Sequence, residues 1–302
     1  MQNRMAPIVL FVYNRPEHTL QTLQALRKNE LADQSILYIF ADGPKENATE
    51  DDKTKIRKVR EVIRKEQWCG EVIITENESN KGLADSVIDG VTKIVNEYGK
   101  VIVLEDDLVT SMSFLKFMNE GLTRYENENI VKQVSGFFPT VNNSTGRSFF
   151  LPVTTTWGWA TWKRVWKEID FDPSDYVLVK NDAGLRNEFN LGGAVNYSDM
   201  LITQMESDKI SSWGIRFWWN VFRQKGLVLY PDHTLVYNIG HDDSGTHTKS
   251  SDKIKGIKLD DFYSVKEYPE KLAIDEVFYK KFVKAFSKRD TIKNWIKRVL
   301  PV

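Results

Sequence analysis

Val101-Ile102-Val103-Leu104-Glu105-Asp106-Asp107-Leu108 runs four apolar residues directly into three acids. A continuous apolar run suits a strand buried on both faces. Consecutive acids after it are unfavourable unless they emerge at the strand's end, where solvent, a cation or a ligand meets their charge. The stretch predicts a parallel strand whose carboxyl end opens into a site. In a competing reading Asp106 or Asp107 starts the next helix, where a negative charge favours the N-terminus.

Upstream, strand-like and helix-like segments alternate. Pro7 to Tyr13 is a continuous apolar run ended by Asn14-Arg15-Pro16, and Leu20, Leu23 and Leu26 follow at helical spacing. Ser35 to Ala41 reads as a second strand closed by Asp42-Gly43-Pro44. Lys53 to Lys65 reads as a charged helix, Val72 to Thr75 as a third strand, and Leu83 to Tyr98 as an amphipathic helix. This order implies an α/β fold with a mostly parallel sheet flanked by helices. Ligands in such sheets sit beyond the carboxyl ends of the strands. Asn14-Arg15, Asp42, Asn80-Lys81 and Glu105-Asp106-Asp107 all fall there.

The rest of the chain divides differently. We read residues 1–140 as a nucleotide-binding half, 141–262 as a mixed acceptor-side half, and 263–302 as a basic helical tail. Seven of the nine tryptophans lie between Phe149 and Trp219, so sugar-stacking faces are sought there, while Trp162 and Trp166 read as core. Lys+Arg and Asp+Glu balance at 42 each, which argues against general nucleic-acid binding. Cys69 is the only cysteine, which excludes an intramolecular disulfide and a multi-thiolate zinc site and fits a reducing compartment. No apolar run reaches membrane-spanning length and the N-terminus lacks a cleavage signal, so a cytoplasmic location is expected.

Each candidate residue has a bland role beside a chemical one. The acids at 105–107 hold Mn²⁺ or Mg²⁺ with a diphosphate, or begin a helix. Asp42 accepts from a ribose or base, or forms a turn. Arg15 meets a uracil-like base, or is a solvated helix-start arginine. Asn80 and Lys81 face a phosphate, or cap a helix. Trp157 faces a sugar beside Gly158, or packs in the core.

Together these segments resemble GT-A glycosyltransferases with a Rossmann-like sheet. The likeness covers roughly residues 7 to 250 and is closest to the N-acetylglucosaminyltransferase I family and its bacterial surface-polysaccharide relatives. The resemblance implies Asp107 as metal ligand, Asp106 on the nucleotide side and Glu105 at the donor sugar. It further implies Asp42 and Arg15 at the uridine, a nucleotide diphosphate sugar donor (commonly UDP-linked), and inversion at the anomeric carbon. A hexosyl or N-acetylhexosaminyl transfer to a glycan or lipid-linked glycan acceptor follows. His247, in Asn238 to Thr248, matches a Gly-Thr-His segment of the bacterial relatives and is a second metal-ligand candidate.

Arg216 is a further nucleotide-sugar-binding candidate, but its segment departs from the family, because no Asp or Glu occurs from Lys209 to Lys225, where the family carries its catalytic acid. Asp208 is the nearest candidate base, with Asp242 and Asp243 as alternatives. The tail places Phe278, Phe282, Phe286 and Trp295 among lysines and arginines. It reads either as a peripheral contact with an anionic membrane or as a helix packed on its own domain. Two rivals remain. A sugar-1-phosphate nucleotidylyltransferase needs a Gly-rich loop where this chain has Asn14-Arg15-Pro16-Glu17, and a carbohydrate-binding protein has no need of the first half's site residues.

Overall fold

The computed structural model describes residues 5–139, 144–207, 211–240 and 259–287. β1 (Ile8–Val12) leads into α1 (Pro16–Arg27), then β2 (Ile36–Ala41), α2 (Glu50–Val62) and β3 (Glu71–Glu76). α3 (Leu83–Tyr98) and β4 (Lys100–Glu105) follow. The helices bury the stripes that their spacing predicts, including Leu23 and Leu26, Ile56 and Val59, and Val87, Val91 and Ile94. α2 starts at Glu50 rather than Lys53, because Thr49 and Asp52 satisfy the first amides reciprocally.

β1 lies between β2 and β4, parallel to both, with Val12 opposite Ala41 and Phe11 opposite Glu105. β3 flanks β2, so the first four strands stand in the order β3-β2-β1-β4. The path across the sheet reverses between β1 and β4. That reversal leaves a crevice at the strands' carboxyl ends.

The acids after β4 do not begin a helix. They lead into β5 (Leu108–Thr110), and α4 (Phe114–Arg124) starts only after Ser113. The helix-start reading of Asp106 and Asp107 is therefore wrong.

β6 (Val131–Ser135), β7 (Ser148–Leu151), β8 (Trp159–Trp162) and β9 (Leu227–Pro231) complete an eight-stranded sheet in the order β3-β2-β1-β4-β8-β6-β9-β7. β8 runs antiparallel to β4 and β6, while β9 is parallel to β6. Residues from both halves of the chain thus share one sheet. β10 (Val236–Asn238) pairs with β5 as a separate ribbon. Around the second half lie α5 (Lys163–Trp166), α6 (Leu178–Asn181), α7 (Ala183–Phe189), α8 (Tyr197–Glu206) and α9 (Trp213–Arg223).

The tryptophan-rich region is mostly core. Trp159, Trp162, Trp166, Trp213, Trp218 and Trp219 are all buried. Trp159 stacks on Trp213 with ring centres 5.1 Å apart, and Trp162 and Trp166 donate to Leu122 O and Thr92 Oγ1 at 2.9 and 2.8 Å. Among the described tryptophans, only Trp157 is outside the buried class.

The tail's aromatic face is also occupied. α10 (Glu276–Phe286) lays Phe278 flat on Phe149, centres 3.9 Å apart, and inserts Phe282 against Phe138 and Tyr230. Asp275 N–H donates to Phe150 O, tying the helix start to β7. Over the described part of the tail, the packed-helix reading holds. Lys288 to Val302, with Trp295, lies outside the described residues. No helix among the described residues is long and apolar enough to cross a membrane.

Phe282 is fully buried. Phe282→Ala should lower stability by about 3–4 kcal/mol in a denaturant melt, from lost transfer energy plus an unfilled cavity. A change under about 1 kcal/mol would mean that α10 docks only loosely.

Candidate functional site

The site grows from the sheet's reversal point. Proline disfavours helical backbone in the residue before it, so Arg15 stays outside the helix as the N-cap of α1 at φ −120°, ψ 77°. Its carbonyl accepts from Thr19 N–H and Thr19 Oγ1 at 3.0 and 2.8 Å, which holds the backbone in place. The side chain crosses to the end of β4. One guanidinium nitrogen pairs with Asp106 Oδ1, Nε reaches Asp106 Oδ2 at 3.4 Å, and Nη1 lies 3.0 Å from Asp107 Oδ2. Thr22 Oγ1, on α1, donates to Asp106 O at 2.9 Å and fixes the turn between β4 and β5.

Asp107 is buried, and its Oδ1 has no hydrogen-bond partner among the described residues. Such an oxygen is costly unless a ligand or ion meets it. The ribbon of β5 and β10 carries the chain back over this corner, with Ile239 N–H donating to Asp107 O at 2.9 Å. Gly240 then presses on the carboxylate. A Cβ there would stand 2.3 Å from Asp107 Oδ2 and 2.9 Å from Arg15 Nη1, so any side chain would have to displace both tips.

Charge and burial oppose each other across the corner. Burial works against the Arg15 charge, but Asp106 and Asp107 outweigh it and raise its pKa. Burial raises the Asp106 pKa despite Arg15. Burial, reinforced by Asp107 and Asp106, pushes the Glu105 carboxyl up to about 8.

One strand away, Asp42 has a different setting. Its Oδ1 accepts from Gly43 N–H at 3.0 Å, Asn77 Nδ2 at 3.1 Å and Lys81 N–H at 2.9 Å. Its Oδ2 accepts from Asn80 Nδ2 at 2.9 Å and Gly82 N–H at 3.0 Å. Asp42 therefore pins the loop that leads into α3. A Cβ at Gly43 would come within 2.6 Å of Ser79 N, so glycine lets the loop of residues 77–82 cross backbone to backbone. The Lys81 ammonium pairs with Asp89 on α3.

The other candidates are spread more widely. The β4–β8 register ends at Val103 opposite Trp159, and Gly158, at φ 59°, turns the chain out of the strand just before it. Trp157 meets Phe137 edge-on, centres 4.5 Å apart. Arg216, on α9, donates to Phe171 O at 2.9 Å and Ser212 O at 3.2 Å, and burial lowers its pKa. The structure thus brings together Arg15, Asp106 and Asp107, with Glu105 alongside and Trp157 against Phe137. Asp42, Asn80 and Lys81 form an adjoining knot, and Arg216 is joined to Phe171. Asp208, His247, Asp242 and Asp243 lie outside the described residues. Sequence reasoning missed Asn77, Thr22 and the tight fit of Gly240, whose partners are distant in the chain.

Among the described residues, no three His, Cys, Asp or Glu side chains form a metal shell by themselves. The corner nevertheless fits a hard divalent ion held jointly with a ligand. Asp107 Oδ1 supplies a buried, unpartnered anionic oxygen, and diphosphate oxygens and water are the usual remaining ligands of such ions.

No protein-family model matches the chain, and no curated protein sequence does. Among solved structures, S. aureus TarS is similar at 11% identity and TM-score 0.38, over 77% of this chain and 36% of that one. A cytidylyltransferase from Leptospira borgpetersenii serovar Hardjo-bovis has 13% identity and TM-score 0.35, over 55% and 63%. Mouse xyloside xylosyltransferase 1 has 10% identity and TM-score 0.35, over 72% and 80%. This chain spans about a third of TarS and less than two thirds of the cytidylyltransferase. Likeness at this distance decides neither reaction nor substrate.

Two variants distinguish the knot from the corner. Asp42→Asn turns one acceptor into a donor facing other donors, so it should destabilise the fold by about 2 kcal/mol and speed amide exchange at Lys81 and Gly82. Unchanged stability and exchange would remove the role of Asp42 in holding this loop.

Glu105 tests the corner's electrostatics. Its folded pKa of about 8 exceeds the ordinary 4.5, so the folded state holds the extra proton between those values. Stability from this group is present below the unfolded pKa and falls as pH rises toward the folded one. Glu105→Gln should therefore raise Tm at pH 8 in ligand-free protein, with the gain fading toward pH 4.5. A pH-independent difference would contradict this charge balance.

Proposed function

We propose that the chain is a glycosyltransferase that moves a sugar from a nucleotide diphosphate donor, UDP-linked by preference, to a glycan or lipid-linked glycan acceptor. One observation carries the reading. At the sheet's reversal point an arginine and two aspartates converge, and one buried Asp107 oxygen has no partner among the described residues. That combination suits a ligand with both negative charge and a hard cation.

In the proposed reaction the acceptor oxygen bonds to the anomeric carbon from the face opposite the diphosphate. The bond from that carbon to the diphosphate oxygen breaks, and the diphosphate takes the electron pair. The acceptor proton passes to a general base, which we assign to Asp208, with Asp242 and Asp243 as alternatives. Asp107 would hold Mn²⁺ or Mg²⁺, with His247 as a second candidate ligand, and the ion would offset charge developing on the leaving diphosphate. Glu105 would contact the donor sugar by hydrogen bonding to one of its hydroxyls. Trp157 offers a ring face to the sugar beside it. Asp42, Asn80 and Lys81 shape the ledge on the nucleotide side, and Asp106 orients Arg15.

Both rivals fit less well. α1 begins at Pro16 directly after Arg15, which leaves no room for a glycine-rich triphosphate loop. The burial of the second-half tryptophans other than Trp157 removes the broad aromatic face that a carbohydrate-binding module would use.

Asp107→Asn removes one negative charge while keeping size and polarity. Transfer measured with UDP-sugars and Mn²⁺ should fall about 100-fold, or about 2.7 kcal/mol of transition-state stabilisation. The ligand-free Tm should stay within a few degrees, and the Mn²⁺-induced thermal shift should vanish. Near-wild-type transfer, or outright unfolding, would defeat the assignment.

A further inference from the structure

Arg15 and a divalent ion would both seek the charge of Asp107. The guanidinium sits 3.0 Å from Asp107 Oδ2 and also holds Asp106. Its position is not that of a loose surface side chain. The backbone is anchored through Thr19, and its main chain stands directly before Pro16. Gly240 closes over the Arg15–Asp107 contact so tightly that even a methyl group would collide with both partners. The guanidinium therefore lies under a backbone cover, with two carboxylates in its grip. Asp107 Oδ1 faces elsewhere without a partner. An ion at that oxygen would stand near a fixed positive charge, which opposes its binding.

We infer that Arg15 is a resident counter-cation that competes with the divalent ion for Asp107, so that tight ion binding requires the donor's diphosphate. This rests on the reading of Asp107 as the ion's ligand. The diphosphate brings negative charge enough to accommodate both cations, and it gives the guanidinium an anionic partner in place of Asp107. The ion and the nucleotide then bind as a pair, and the ligand-free protein takes up little of the ion. Arg15 thus sets the coupling between cation and donor, separately from any contact it makes with a base.

The test is calorimetric titration of Mn²⁺ into full-length wild type, Arg15→Gln and Arg15→Lys, each with and without UDP. Wild type should bind Mn²⁺ weakly alone and more tightly with UDP. Without UDP, Arg15→Gln should bind Mn²⁺ about tenfold more tightly than wild type, because the competing positive charge is gone. The gain in Mn²⁺ affinity on adding UDP should shrink accordingly. Arg15→Lys should fall between the two, since one ammonium cannot span both carboxylates as the planar fork does. It decides the matter if Arg15→Gln does not fold. If Mn²⁺ binds wild type with UDP but the Arg15 variants show no tightening without it, the competition is refuted and the Asp107 assignment survives. If wild type fails to bind Mn²⁺ even with UDP, the assignment fails and the competition with it.

Discussion

Three acids at the end of a strand buried on both faces need partners for their charge, and the bridge from Arg15 to Asp106 and Asp107 supplies one. The bridge also explains the local topology. Arg15 must stand at the end of β1, β1 must lie next to β4, and the chain must reverse its path between them. The ribbon of β5 and β10 then returns over the pair, and Gly240 makes the last approach without a side chain. A charged requirement at one strand end is thus met by elements drawn from early, middle and late in the sequence.

Two aspartates at neighbouring strand ends show how burial alone misleads. Asp42 and Asp107 are both buried, at 8% exposure. Asp42 is ringed by amides and carboxamides, so its charge is satisfied within the fold and its effect is to shape the loop into α3. Asp107 shares one oxygen with Arg15, and the other has no partner among the described residues. A carboxylate already saturated with donors gains little from a new ligand, whereas an undersatisfied one gains a great deal. By this criterion the Asp107 corner is the stronger candidate for chemistry.

The same contrast marks what the sequence could reveal. The apolar runs at β1 and β4, the turn after Ala41 and the stripe of α3 encode the parallel part of the sheet in local pattern. The acids at 105–107 were legible because charge after such a run has few stable outcomes. The Asp42 partners were not legible. Asn77 and Asn80 lie in a polar loop whose composition suits any turn, and their use depends on a strand 35 or more residues earlier. Nor did Gly240 announce itself, since one glycine in a polar segment signals a loop and not a close approach. The insertion of β8 between β4 and β6 was similarly hidden, because short antiparallel strands rich in tryptophan carry no alternation that distinguishes them from other buried segments.

Aromatic residues pose the same ambiguity in the second half. Rings at helical spacing serve equally for a ligand face, a membrane face or the chain's own core, because each buries apolar area from water. In α9 and α10 the partners decide. Trp213 meets Trp159, and Phe278 and Phe282 meet Phe149, Phe138 and Tyr230. With those faces consumed internally, Trp157 is the described tryptophan left outside the buried core, edge-on to Phe137.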